Sequence, residues 1–304
     1  MKIAAIDIGS NAIRLQITSV LEYEESITFK KIEYVRFPLR LGQDVFSEKI
    51  IKSETEEKFV KLMRSFKILI DLFEVDIYRA CATSAMREAK NGAIIAARVF
   101  NEIGLKIDII NGDKEAELIN NSLTSYLEDK AYLHIDVGGG STELNIYVNK
   151  QKIAANSFKI GSVRRLSFHQ SPLVWKRMED WIKQNIKKEY GRIIAIGTGG
   201  NINKLADLAK KKPGKTITSK KIEAVREYLA SFTLDERINK LQLNPDRADV
   251  ILPASEIYMF AMKAAKATNI LVPDLGLKDG MIQEMYKKLK NGKTQQRRSK
   301  DNIG

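Results

Sequence analysis

Hydrophobic and polar positions along this chain follow two rhythms. It opens with short apolar runs, "KIAAIDIG" and "AIRLQITSV", on either side of a tight turn. Runs of this kind bounded by turn residues predict strands. "SETEEKFVKLMRSFKILIDLFEV" then spaces its apolar residues helically behind Ser53, an N-cap candidate. "VDIYRACAT" reads as a buried strand and "SAMREAKNGAIIAARVFNEIG" as one helix ending at Gly104. "LKIDIING" reads as a strand and "DKEAELINNSLTSYL" as a helix. Such alternation predicts an α/β fold, with helices packed on a largely central sheet.

The pattern then restarts. "YLHIDVGGGSTELNIYV" is again strand, turn, strand, followed by a strand in "KIAANSFKIG" and a helix in "PLVWKRMEDWIKQNIKK". "RIIAIGTGGNINKLADLA" reads as strand, glycine loop and helix. Further helices lie in "SKKIEAVREYLASF", "ADVILPASEIYMFAMKAAKAT" and "GLKDGMIQEMYKKLK", with a short strand "NILVPD" before the last. Laying "DIGSNAIRLQI" over "DVGGGSTELNI" puts Asp7 on Asp136, Gly9 on Gly138, Leu15 on Leu144 and Ile17 on Ile146. An aspartate before a glycine turn thus starts each half, which a duplicated domain explains. Two phosphate-sized turns would face each other across a cleft, where ligand sites commonly lie.

Composition adds a sign and a compartment. A length of 304 residues is more than one core usually serves, so two domains are expected. The balance of 51 Lys+Arg against 38 Asp+Glu gives a formal charge of +13, which favours anionic partners without choosing among them. Part of that charge sits in a Lys/Arg-rich tail, which reads as solvated and disordered. Cys81 is the single cysteine, so no intramolecular disulfide forms, and it reads as small core packing. The apolar run before Asp7 is too short for a signal peptide, and no run approaches a membrane span. The expected location is the cytoplasm.

Four segments share one chemical logic. In "DIGSNAIRL", Ser10 and Asn11 present amides and short polar groups to an anion, and Arg14 offers a charged fork. In "ATSAMREAKN", Ser84 lies where a strand gives way to a helix, and Arg87 one turn on reaches the same place. In "DVGGGSTE", Gly138, Gly139 and Gly140 let the backbone close on a phosphoryl group beside Ser141 and Thr142. In "IGTGGN", Gly197, Thr198 and Gly199 form another strand-to-helix junction. That junction lacks the final glycine of a dinucleotide fingerprint, because Ile202 stands there.

Acids complete the set. Asp136 and Glu143 flank the triple-glycine turn, and paired carboxylates beside a phosphate repel it unless a cation intervenes. Mg²⁺ is the natural choice. Glu115, near the start of a helix, is a candidate base for a water facing the phosphoryl group. Only two histidines occur, His134 in a strand and His169 in a loop, so a His-based zinc site is excluded. His134 reads as a packed strand residue. Neither a GxxxxGK[ST] loop nor a GxSxG elbow is present.

These segments, in order with "LRLGQ", "INGDKEAEL", "GSVRR", "RADVILPA" and "GLKDG", resemble the exopolyphosphatase/guanosine pentaphosphate phosphohydrolase (Ppx/GppA) family of the actin–hexokinase–Hsp70 superfold. The resemblance implies an α/β fold of two RNase-H-like (actin-like ATPase) domains with the active site in the cleft between them. By that division residues 1–125 and 126–289 are the domains and 290–304 the basic tail. It places Glu115 as catalytic base and Asp136, Glu143 and Asp7 as carboxylates associated with Mg²⁺. Ser10, Asn11, Arg14, Ser84, Arg87, Gly138 to Thr142, Gly197, Thr198 and Gly199 fall in its phosphate-binding segments. The expected activity is hydrolysis of terminal phosphoanhydride bonds of inorganic polyphosphate. Its nearest rival is guanosine pentaphosphate 5′-phosphohydrolase, and the non-enzymatic alternative is a polyphosphate- or nucleotide-binding regulator. No specific nucleic acid and no membrane is expected as partner, and a homodimer is left open. Longer members carry a further helical domain where this chain has its basic tail, so distributive action is expected. The "GTGGN" loop also differs from that of better-known members, which leaves specificity at that end open.

Overall fold

The computed structural model describes residues 1–167 and 172–301, and His169 lies outside the described residues. The first half builds a five-stranded sheet from β1 (Lys2–Ile8), β2 (Ile13–Tyr23), β3 (Ser26–Phe37), β4 (Ile77–Ala82) and β5 (Ile107–Ile109), in the order β3-β2-β1-β4-β5. β1, β2 and β3 form an antiparallel meander, and β4 and β5 run parallel to β1. The second half repeats this plan with β6 (Ala131–Val137), β7 (Thr142–Val148), β8 (Gln151–Phe158), β9 (Ile193–Thr198), β10 (Lys215–Thr218) and β11 (Asn269–Val272). Its order is β10-β11-β9-β6-β7-β8, so β8-β7-β6-β9-β11 matches the first sheet strand for strand and β10 is added at the edge. The duplication read from eleven residues therefore extends to the whole topology.

Each half has its own apolar core, the first around Ile6, Leu15, Phe59 and Phe66, the second around Ile135, Ile146, Ala195 and Tyr258. A third cluster joins them, with Ile3 and Cys81 from one side and Tyr132, Tyr147 and Ile196 from the other. The final helix, Leu277–Asp301, follows the second half in sequence yet contributes Met281, Ile282 and Met285 to this shared cluster, against Leu118 and Ile119. Burying each such side chain is worth roughly 1.5–3 kcal/mol relative to leaving it in water. Gly280 permits the approach, since a Cβ there would run into the carbonyl of Leu118.

Three expectations change. The stretch expected as one helix to Gly104 divides into Ser84–Glu88 and Gly92–Ile103. Asn91 exchanges side-chain bonds with the backbone of Ile51, at 3.0 and 2.9 Å, and Ala89 is extended, so tertiary anchoring outweighs helix propensity there. Ser53 is the first helical residue rather than the cap, and Lys52 occupies the cap position without a side-chain bond. The last helix continues through the stretch expected as a disordered tail as far as Asp301. That stretch lacks proline and is rich in Lys, Gln and Arg, good helix formers extending a packed first half. Residues 302–304 lie outside the described residues. Cys81 is fully buried, and burial pushes its thiol up to about 12, as suits packing rather than nucleophilic use. Among the described residues no helix is long and apolar enough to cross a membrane.

Candidate active site

A cavity of about 210 Å³ opens between the halves, at the ends of β1, β4 and β6. From the first half Asp7, Ser10, Asn11, Arg14, Ser84 and Glu115 line it; from the second, Asp136, Gly138, Gly139, Ser141 and Gly199 do. Ser10 Oγ and Ser84 Oγ lie 2.8 Å apart, tying the first glycine turn to the helix start after β4.

The triple-glycine turn is oriented by its carbonyls. Gly138 O accepts from the Ser162 amide at 3.0 Å, Gly139 O from the Val163 and Arg164 amides at 2.9 Å, and Gly140 O from Arg164 Nε at 2.7 Å. All three acceptors are thus turned outward into the "GSVRR" segment. Among the described residues the amides of Gly139 and Gly140 donate to no acceptor. A turn with used acceptors and free donors presents positive potential to the cleft, which is what an anion requires. Arg164 also pairs with Glu88 and lies over the Phe46 ring at 4.0 Å, so the turn is clamped to the first half.

The acids form a crowded, desolvated group. Glu115 sits in the first turn of the Gly112–Leu123 helix, whose N-cap Asn111 Oδ1 accepts from the Lys114 amide at 2.9 Å. Its carboxyl is raised well above its ordinary value, by burial first and then by Glu143 and Asp136, and its Oε2 is buried without a partner. Burial and Glu143 also raise Asp136, to about 7, against a Thr198 hydrogen bond that lowers it. Glu143 is raised by burial, with Ser141 and Ser157 opposing; the Ser157 hydroxyl donates to it at 3.0 Å. Asp7 differs, for Arg14 Nη1 lies 3.0 Å from its Oδ2. Shifted, mutually repelling carboxylates in a cleft are the usual mark of a functional site.

Against this geometry the comparisons with known proteins are specific. The description "Ppx/GppA phosphatase family" matches residues 20–289. The chain belongs to that family. Its relatives include the bifunctional 3-dehydroquinate synthase/phosphatase of Fusobacterium nucleatum, 31% identical over 280 residues. Two others are the guanosine-5′-triphosphate,3′-diphosphate pyrophosphatase of Photobacterium profundum, 24% identical over 308 residues, and exopolyphosphatase 1 of Mycobacterium bovis, 23% over 304. These alignments take in 82%, 97% and 93% of the chain, but 41%, 61% and 87% of the relatives. The chain therefore spans less than two thirds of the first two. Among solved structures, the Ppx/GppA family member of Aquifex aeolicus superposes with a TM-score of 0.73 at 26% identity, covering 95% of this chain and 98% of that one. The two halves are actin-like domains, as in these Ppx/GppA neighbours.

Not every residue expected in the phosphate-binding segments of a Ppx/GppA protein reaches the cavity. Gly140 is buried beneath it, against Phe46 and Ser84. Thr142 is fully buried and donates its hydroxyl to Ile160 O at 2.6 Å. Gly197 is packed between Ile270 and Ile202, and Thr198 is fully buried, 2.8 Å from His134 Nε2. Arg87 donates to Ile110 O at 2.6 Å from behind the acids, and its charge lowers Glu115 and Glu143. Glu143, 3% exposed, stands behind Asp136 rather than in the cavity lining.

Other cleft residues were not named as site residues from the sequence, although Arg247 and Lys278 lie in its quoted segments. Lys31, Tyr34, Arg36, Arg247 and Lys278 also line the cavity. Arg36 pairs with the buried Asp246, whose carbonyl accepts from Asn11 Nδ2 at 2.9 Å. Arg247 donates to Gly200 O; burial, then Arg36 and Arg14, push its guanidinium down to about 10. Arg247 opens the quoted "RADVILPA", but Arg36 lies on the exposed edge strand β3, which carries no clear alternation.

Proposed function

We propose that this protein hydrolyses terminal phosphoanhydride bonds of inorganic polyphosphate, with Glu115 as general base and Mg²⁺ as cofactor. The observation that carries this reading is the buried, unpartnered Glu115 Oε2 among carboxylates, in the cavity that the free-amide turn also lines. A carboxylate raised by burial and neighbouring acids is a stronger base than an ordinary one. In the reaction a water oxygen attacks the terminal phosphorus, its proton passes to the Glu115 carboxylate, and the bond to the next phosphate's oxygen breaks. The amide of Gly139 holds a non-bridging oxygen, and Arg14 balances its charge from the opposite hairpin. Among the described residues no three Asp, Glu, His or Cys side chains close up to hold a metal alone. Mg²⁺ characteristically takes only one or two carboxylates and leaves its other positions to water and phosphate oxygens. Asp136, with Glu143 behind it, fits that partial ligand set. When bound, such a cation supplies the positive charge that offsets the acids and stabilises the leaving phosphate.

The cationic lining of Lys31, Arg36, Arg247 and Lys278 supports a substrate that is phosphate along its length. A second reading, guanosine pentaphosphate, is favoured by one feature. A neighbouring hollow of about 240 Å³ shares Lys31, Leu275 and Lys278 with the cleft and is walled by Phe29 and Ile282, a slot that could hold a base. Phosphate release with Mg²⁺ from short polyphosphate, long polyphosphate and guanosine pentaphosphate, measured side by side, decides between them. Higher kcat/KM on short polyphosphate is expected, and a clear preference for the pentaphosphate overturns the assignment.

A further inference from the structure

A chain of buried polar side chains runs from behind the sheet to the cleft. His134 on β6 faces Asn145 on β7 in the strand register, and Asp136 faces Thr198 on β9. His134, Asn145 and Thr198 are all 0% exposed. Asn145 Nδ2 lies 3.0 Å from His134 Nδ1, and His134 Nε2 lies 2.8 Å from Thr198 Oγ1. With the Asn145 amide nitrogen toward the ring, Nδ1 is the acceptor and the ring proton resides on Nε2. That proton is given to Thr198 Oγ1, and the single hydroxyl proton of Thr198 is left for Asp136, its partner in the β6–β9 register, whose carboxyl Thr198 lowers. In that orientation every donor in the series points toward the cleft.

A neutral, apolar side chain would fill the same space in a strand core. A buried histidine satisfied at both nitrogens is costly to place there unless its direction matters, since an unpaired partner forfeits its desolvation free energy. We propose that His134 is a positioning residue for Asp136, fixing the Thr198 hydroxyl as a donor and thereby the orientation of that carboxylate toward the phosphoryl group. The inference rests on the reading of Asp136 as a cleft carboxylate of a phosphohydrolase.

The test compares His134→Leu with His134→Gln. Glutamine restores both bonds, its Oε1 accepting from Asn145 and its Nε2 donating to Thr198, whereas leucine fills the space and makes neither. With folding checked by circular dichroism, His134→Leu should lower kcat on short polyphosphate about tenfold, the equivalent of one hydrogen bond. KM should stay within about twofold, since ground-state binding is not what is lost. His134→Gln should recover kcat to within about threefold of wild type. Wild-type kcat in a folded His134→Leu variant overturns the proposal, as does a His134→Gln variant equally impaired. Nitrogen NMR of histidine-labelled protein supplies a readout independent of turnover, with the resonance assigned by its loss in His134→Gln. A neutral ring protonated at Nε2 supports the relay whatever the substrate, and one protonated at Nδ1 overturns it. Absence of phosphate release by wild type from every substrate would defeat the phosphohydrolase reading, while the NMR result still decides the direction of the hydrogen bonds.

Discussion

Arg14 faces Asp7 across the β1–β2 turn with its Nη1 3.0 Å from the carboxylate, and in the second half Glu143 holds Arg14's place opposite Asp136. One hairpin plan thus carries a neutralised ion pair in the first half and two repelling acids in the second. A phosphoryl group between them meets charge balance on one side and, on the other, a carboxylate pair that calls for a cation.

Stability should record the strain on Asp136. Its carboxyl lies near 7 in the folded protein against an ordinary 3.8. Between those values the folded chain holds a proton that the unfolded chain has lost, so this group's contribution is full below about pH 4 and disappears as the pH rises through 7. Without divalent cations, Tm should fall more between pH 5 and pH 8 in wild type than in Asp136→Asn. Parallel Tm curves for the two proteins would contradict the assigned shift.

Glu115→Gln should cut phosphate release about a hundredfold or more with little change in substrate affinity, because general base catalysis typically supplies 10²–10⁴. Replacing a buried, unpartnered acid with a neutral amide should also leave Tm unchanged or raised. Near-normal turnover would remove Glu115 from the role.

Chelation by EDTA should abolish hydrolysis and added Mg²⁺ should restore it, since Asp136 and Glu143 would otherwise oppose the substrate's charge. Calorimetric titration of Mg²⁺ into Asp136→Asn should show weaker binding than into wild type. Full turnover in metal-free buffer would defeat the metal assignment.

Gly140→Ala tests the clamped turn. The added methyl would sit 2.5 Å from Ser84 Oγ and against the Phe46 ring, two groups of the opposite half. Overpacking of this kind costs about 1–3 kcal/mol, read as a lower Tm. Turnover should fall as well, because Ser84 and the adjacent Gly139 both line the cleft. A variant with unaltered Tm and turnover would show that the halves separate more freely than this packing implies.

Much of the fold was legible because its signals are local. Apolar periodicity located both hairpins and most helices, and the Asp–Gly turns at the start of each half revealed the duplication. β3 was missed because 6 of its 12 positions lie in an unbroken exposed run, leaving no two-residue rhythm to read. The helix break after Glu88 was missed because Asn91 bonds Ile51, 40 residues away.

The sequence by itself determined the chemistry on offer: glycines flanked by acids, small hydroxyl residues at strand ends, and a carboxylate opening a helix. These follow from backbone sterics and turn preferences acting over a few residues. Tertiary structure alone decided which of those groups face the cleft, turning Thr142 toward Ile160 and Thr198 toward His134 while Asn11 reaches Asp246 across 235 residues. It also decided their proton affinities. Asp7 and Asp136 are equivalent in sequence, yet one is paired with Arg14 while the other is desolvated beside Glu143, and burial and neighbouring charge are properties of the assembled fold.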